Sequence, residues 1–330
     1  DTWMIGSQTI YPEVKFLGFD AGGYFTTLFS KYQINKNFDK KEFGKVLLKY
    51  DSLSNKQPLS YWDNTRPIPL LLEEINDFRK KDSLEKRRED PAYLDSLDKI
   101  QNKINTFGLI VNGQTLINRN RKMNYTYDPL LKSVSYNTVE GIALQLSGTI
   151  QKEFKGRNQL SFTPVLRYGM TNKHFNAFLR TNYRFGKKYV NSLTTSFGSR
   201  VYQFNNANPI PQIMNTFATI LNGNNYMKLY QANFFQTTFQ KGLGDGFDFS
   251  AFVNYQDRIP LVNTDTNYAW GNSRVLNNFT PNYPTEIVNQ PMNPHQAFVV
   301  GFRISFRPGT KYIELPDRVI SSFSRTPTFS

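Results

Sequence analysis

Cysteine is absent from this chain, and with it go disulfide frameworks, zinc-thiolate centres and cysteine nucleophiles. Histidine is almost absent: the two present, His174 and His295, lie in no metal-ligand spacing. No stretch approaches the roughly 20 consecutive apolar residues of a membrane-spanning helix, which excludes a helical membrane protein. A GxSxG elbow, a P-loop and an HExxH pair are also missing. Asp1 and Thr2 stand where a signal peptide would carry its basic region, so an exported protein would be represented by a mature or partial chain. Apolar residues are only 39% of the 330, and the mean hydropathy is -0.53. A transmembrane β-barrel would give such averages too, because its strands alternate and its lumen and loops are polar.

What the chain does have is alternation. Between Gly141 and Phe154, Ile142, Leu144, Leu146, Ile150 and Phe154 fall on one face, while Gln145, Ser147, Thr149, Gln151 and Glu153 fall on the other. A period of two with one oily face is the mark of a strand buried on one side only. Strands are expected near 106–117, 134–154, 159–169, 174–185, 189–205, 226–241, 247–260 and 296–307. Several reach the ~10 residues a tilted strand needs to cross a bilayer, where soluble strands centre on about five or six. Connections such as Lys155 to Asn158 are tight, whereas Asn206 to Asn225 and Leu261 to His295 are long, the asymmetry expected of outer-membrane barrels. Phe154, Tyr168, Tyr183, Phe185 and Tyr202 lie near strand ends, where they would form interfacial girdles. The pattern also leaves open a soluble β-sandwich with its aromatics in the core.

Residues 1–72 read as short strands and a lead-in, with Asp20-Ala21-Gly22-Gly23 as a hairpin connection between Val14–Phe19 and Tyr24–Ile34. Residues 73–105 form a charged helical insertion, expected on the periplasmic side, and Pro91 divides it into two helices. Asp90 is the N-cap of the second, where Tyr93, Leu94, Leu97, Ile100 and Ile104 recur at helical spacing. Acidic residues interleave with the basic ones, which fits a solvated linker helix packing one oily stripe better than a helix lying on anionic lipid. Residues 106–330 make up the antiparallel strands.

The formal charge is +14, but Lys and Arg scatter over turns and polar faces, and no nucleic-acid-binding signature accompanies them. Arg167, Arg180, Arg184 and Arg258 are candidate lumen charges, Arg258 being placed to pair with Glu140 or Glu153. His174 belongs to a strand end at the rim. Gly242 to Gly246 is a hairpin turn and not a phosphate loop, since it lacks the Lys-Ser/Thr ending. Asp257 and Asp265 offer oxygens to calcium, yet their spacing matches no calcium loop and polar turn chemistry accounts for them. No catalytic array, cofactor-binding set or metal set emerges.

Tyr61-Trp62-Asp63-Asn64-Thr65-Arg66-Pro67-Ile68-Pro69-Leu70, Tyr136 to Gly141, Tyr168 to Phe175, Asn224 to Tyr230, Arg258 to Thr264 and Thr280 to Pro284 form ordered blocks over most of the chain. In them it resembles an uncharacterised Bacteroidota outer-membrane family in which a carboxypeptidase-regulatory-like domain precedes a large β-barrel domain of unknown function. That resemblance implies an exported antiparallel transmembrane β-barrel, incomplete in these residues, in the outer membrane. It transfers no catalytic residues.

The function these readings favour is non-enzymatic: a subunit or scaffold in outer-membrane protein assembly or envelope biogenesis. Trp62, Arg66 and Pro67 would be a partner-contact segment. Expected partners are outer-membrane lipid, lipopolysaccharide, and other outer-membrane or periplasmic proteins such as the barrel-assembly machinery, with no nucleic acid and no cofactor. The alternatives are an outer-membrane channel for small anionic solutes, a membrane-embedded hydrolase and a soluble glycan-binding sandwich.

Overall fold

A computed structural model describes residues 3–16, 18–39, 44–53, 57–66, 68–186, 188–265, 279–284, 290–322 and 327–330. The chain begins with β1 (Ser7–Ile10), β2 (Glu13–Phe16), β3 (Phe19–Gly22) and β4 (Phe25–Leu28), in which β1 pairs with β4 and β2 with β3. Asp20 to Gly22 therefore lie inside a strand, not in a turn. The reversal comes earlier, at Gly18, whose φ of +84° suits a residue without Cβ. After β5 (Val46–Lys49) come four helices, α1 (Leu59–Thr65), α2 (Leu72–Glu89), α3 (Pro91–Gln101) and α4 (Thr106–Val111).

Helices α2 and α3 meet at Pro91. Asp90 caps α3, its side chain accepting from the Ala92 N–H at 3.0 Å. The expected oily stripe is realised in part: Tyr93, Leu94 and Leu97 are half-buried, Ile100 and, beyond the helix, Ile104 are exposed, and the one fully buried residue of α3 is Asp98. Asp98 accepts from the Arg119 backbone N–H at 2.8 Å and pairs with the Arg119 guanidinium. A charge-assisted contact to the turn between Asn118 and Met123 thus fastens α3 alongside the partial packing of Tyr93, Leu94 and Leu97.

The remaining strands are β6 (Gln114–Asn118), β7 (Met123–Tyr127), β8 (Val134–Asn137), β9 (Gly141–Glu153), β10 (Gln159–Gly169), β11 (Phe175–Phe185), β12 (Asn191–Gln203), β13 (Leu229–Gly244), β14 (Phe247–Pro260), β15 (His295–Phe306), β16 (Tyr312–Leu315) and β17 (Arg318–Ser321), with α5 (Gln212–Asn222) between β12 and β13. Three expectations are corrected here. The 106–117 strand is a helix followed by a shorter strand, since Asn105 caps the Gly108 N–H. The 134–154 strand is broken at 138–140. The 206–225 loop contains a helix, which ends where Gly223 turns left-handed.

Strands β6 to β15 form one antiparallel meander in the order β15-β14-β13-β12-β11-β10-β9-β7-β6, with β8 added against the start of β9. Among the described residues nothing joins β15 to β6, so the sheet is open. No described helix is long and apolar enough to cross a membrane.

Register turns the alternation into two continuous faces. Pro164, Leu179, Phe197, Phe235, Tyr255 and Phe298 are successive cross-strand partners from β10 to β15. The adjacent row, Thr163, Arg180, Ser196, Gln236 and Asn254, is polar from β10 to β14 and meets Val299 on β15. The oily face is the exposed one, with Leu146, Phe197 and Phe302 at 59%, 47% and 78%. On the opposite face Arg167, Gln256 and Asn176 retain only 6%, 3% and 2%. The sheet is inside-out relative to a water-soluble domain.

Connections sort by rim. Those from β6 to β7, β9 to β10, β11 to β12 and β13 to β14 are short and share one rim. There β16 pairs in parallel with β5, Tyr50 N–H donates to Glu314 C=O at 2.9 Å, and Lys45 meets Asp245 at 2.9 Å. The long connections from β12 to β13 and from β14 to β15 occupy the other rim.

Replacing Asp90 with Ala removes the α3 cap and should cost about 1 kcal/mol locally. Amide hydrogen exchange in Ala92–Ser96 should quicken about fivefold while the sheet amides stay unchanged.

Candidate functional site: a buried polar knot at the long-loop rim

The densest set of buried polar groups sits where β8 turns into β9. Asn137, Thr138, Val139 and Glu140 are all essentially inaccessible. Their conformation is local in origin: the Asn137 side-chain oxygen accepts from the Val139 and Glu140 N–H groups at 3.0 and 2.8 Å, an Asx turn. Gly141 leaves the turn at φ +64°, where an added Cβ would run into the Thr171 side chain.

That turn presents Glu140 to Arg167 from β10. Arg167 Nε donates to Glu140 Oε1 at 2.7 Å and Nη2 to Oε2 at 2.5 Å, while Asn137 Nδ2 donates to Oε2 at 2.9 Å. Arg167 Nη1 reaches Gln145 Oε1 at 3.1 Å and Gln212 Oε1, on α5, at 3.4 Å. The pair is bidentate and further bonded on both sides, as a desolvated ion pair must be to offset its loss of water.

A second tier ties in the distant loops. Thr138 donates to Asn263 Oδ1 at 2.8 Å and accepts from Asn225 Nδ2 at 2.6 Å, and its carbonyl accepts from the Thr264 and Asp265 N–H groups. Asn215 of α5 accepts from the Tyr226 and Met227 N–H groups and donates to Asn225 Oδ1. Asn282 bridges Leu229 and Leu261. Tyr136 donates to Asp265 Oδ2 at 2.5 Å. Burial, and next the Asp265 carboxylate, raise the Tyr136 phenol above its ordinary pKa, which keeps it a donor.

Helix α5 is inverted like the sheet. Asn215 and Thr219 are buried, Thr216 satisfies the Tyr136 backbone, and Ile213, Met214, Phe217 and Leu221 are exposed. The knot's apolar component is small: Val139, Met227, Leu229 and Leu261.

The candidate lumen charges separate in this geometry. Arg167 belongs to the knot. Arg180 lies on the polar face of β11, and Arg184 on the same face nearer the short-turn rim, both exposed. Arg258 does not pair with Glu140 or Glu153: Arg167 occupies Glu140, and Glu153 ends β9 at the opposite rim. Arg258 instead donates to Gln256 Oε1 at 2.8 Å and lies over the Tyr230 ring at 5.5 Å. In the Trp62 segment the Arg66 guanidinium lies over both Trp62 and Phe78, at 5.8 and 5.5 Å, linking α1 to α2. Pro67 lies outside the described residues. Asp265 serves Tyr136, and no group of three or more His, Asp or Glu among the described residues could hold a metal ion.

Sequence reasoning missed Asn137, Thr138, Asn215, Asn225 and Asn282. A buried asparagine that braces a loop looks the same in sequence as one that makes a solvated turn. The available signal was Glu140, the acid directly before the glycine that opens an alternating strand.

Glu140→Gln leaves the Arg167 guanidinium buried without its counter-charge, and should lower stability by about 3–5 kcal/mol. Adding Arg167→Gln should restore at least half of that loss, read as the midpoint of urea unfolding in detergent.

Residues 107–330 match a family model described as Family of unknown function (DUF5686) C-terminal domain. No curated protein and no solved structure matches the chain. With the model covering everything from α4 to the last residue, the protein belongs to this family of unknown function.

Proposed function

We propose that strands β9 to β15 are part of the wall of a transmembrane β-barrel in the bacterial outer membrane. The observation that carries this reading is the inverted sheet, with continuous apolar rows exposed and the buried strand residues Arg167, Asn176, Ser196 and Gln256 on the polar face. In a soluble sandwich the apolar rows would be the ones covered, whereas a barrel in lipid turns them outward. β15, at the edge, exposes Phe298, Val300, Phe302 and Ile304. In lipid its free backbone groups would each cost several kcal/mol, so further strands of the protein or a partner close the wall.

The rims give this wall a direction. Short turns face the periplasm in such barrels and long loops face outward, which puts α2 and α3 in the periplasm and the polar knot at the outer surface. The resemblance to the Bacteroidota outer-membrane family supports the same location and contact with lipopolysaccharide.

Within this setting the protein is a non-enzymatic subunit or scaffold in outer-membrane protein assembly or envelope biogenesis. Its support is the periplasmic platform: α2 has no buried residue and carries charge along its length, surface suited to protein partners such as the barrel-assembly machinery. A channel for small anionic solutes is the second reading, favoured by the arginines of the polar face and opposed by the knot that fills its outer end.

Fractionation of the native full-length protein, mild detergent extraction and mass spectrometry of co-purifying proteins test the reading. Outer-membrane recovery with a stoichiometric set of envelope proteins is expected; recovery without partners would favour the channel, and a soluble fraction would reject the barrel. Phe197→Arg should cost about 2–4 kcal/mol if that row faces the bilayer midplane. On a water-facing surface it would change stability by no more than about 0.5 kcal/mol.

A further inference from the structure

Beneath the knot the polar face forms a partly open cavity of about 300 Å³, lined among others by Arg167, Asn176, Arg180, Arg200 and Tyr202. Its charges do not cancel. Glu140 neutralises Arg167. Arg200 is held over the Phe178 and Tyr202 rings, at 5.3 and 4.9 Å, contacts that orient a guanidinium without neutralising it. Arg180 has no ion-pair or hydrogen-bond partner among the described residues. The one carboxylate in the lining, Asp128, accepts from the Ser147 hydroxyl. Two uncompensated guanidinium groups therefore face one carboxylate.

Asn176 adds a directional group. Its side-chain oxygen accepts from the Ser199 hydroxyl at 2.8 Å, but its Nδ2 has no partner although the residue is only 2% exposed. A buried donor on a cavity wall calls for an acceptor. Arginine forks and an amide N–H together match the oxygens of a compact oxyanion.

We infer that this cavity is a binding site for a small oxyanion of the phosphate or carboxylate class, gripped by Arg180, Arg200 and the Asn176 amide. The site does not depend on the assembly role. It requires only that the polar face enclose water, and an anion that lodges there is retained rather than conducted freely.

The test is calorimetric titration of the full-length protein, purified in mild detergent and phosphate-free buffer, with inorganic phosphate. Saturable binding of one phosphate per chain is expected. Arg180→Gln, which removes no contact within the protein, should weaken it roughly tenfold or more, as expected for a lost charge-assisted hydrogen bond. Arg180→Lys should weaken it less, and Asn176→Ala by a few-fold. Arg184→Gln, on the same strand face but outside the cavity lining, should leave the affinity as it was. Absence of saturable heat, equal competition by chloride, or an equal loss in Arg184→Gln would overturn the assignment, the last two by reducing it to a diffuse positive field.

Discussion

The constraint on which the structure depends is that a sheet with its oily face outward must satisfy its polar face from within. A polar side chain that is covered on that face loses its water and needs a protein partner or a bound group in its place. The knot around Glu140 meets that need at one end. Farther down the polar face a different solution appears, in which Thr149 with Thr163 and Asn182 with Thr194 join neighbouring strands through side-chain hydrogen bonds. Arginines stacked on Phe178, Tyr202 and Tyr230 complete it, burying cations against ring faces where carboxylates are scarce.

Such a network contributes more to uniqueness than to net stability. Bringing Glu140 and Arg167 out of water costs several kcal/mol for each ion, and their attraction and added hydrogen bonds do little more than offset it. What the arrangement secures is register. Glu140 can meet Arg167 in both oxygens only if the β8–β9 turn, β10 and α5 are aligned together, and Thr138 then fixes the positions of Asn225 and Asn263. One turn of four residues sets the places of three separate segments. The inversion of α5 follows from the same requirement, since its Asn and Thr residues are what the knot needs.

Much of this was legible in the chain. The strands from 159 to 169 and from 247 to 260 form with the expected bounds, and those near 174, 189 and 296 differ by a residue or two, because period two is a local property that tertiary context reinforces. The division of the charged stretch at Pro91 was equally plain, since proline and its preceding cap act through backbone geometry alone. What was hidden depends on distant partners. Asp98 reads as one more surface charge until Arg119 is seen beside it. Strand β7 was not anticipated, being short and lacking clear alternation. Arg167 and Arg258 look alike as arginines near strand ends, and only the fold decides which of them meets Glu140.

The ladder between β5 and β16 joins segments that lie more than 250 residues apart in the chain, Val46 against Tyr312. Parallel pairing over such a separation cannot form early, because the loop to be closed contains the whole sheet. Until β16 is in place, Val46–Lys49 is therefore an apolar strand without its partner. Strand β16, which follows the whole sheet in sequence, is the one that releases it from that condition. Completion of the sheet and protection of the β5 segment are in this way a single late event, and a chain arrested before β16 would present a ready strand edge to other unfolded chains.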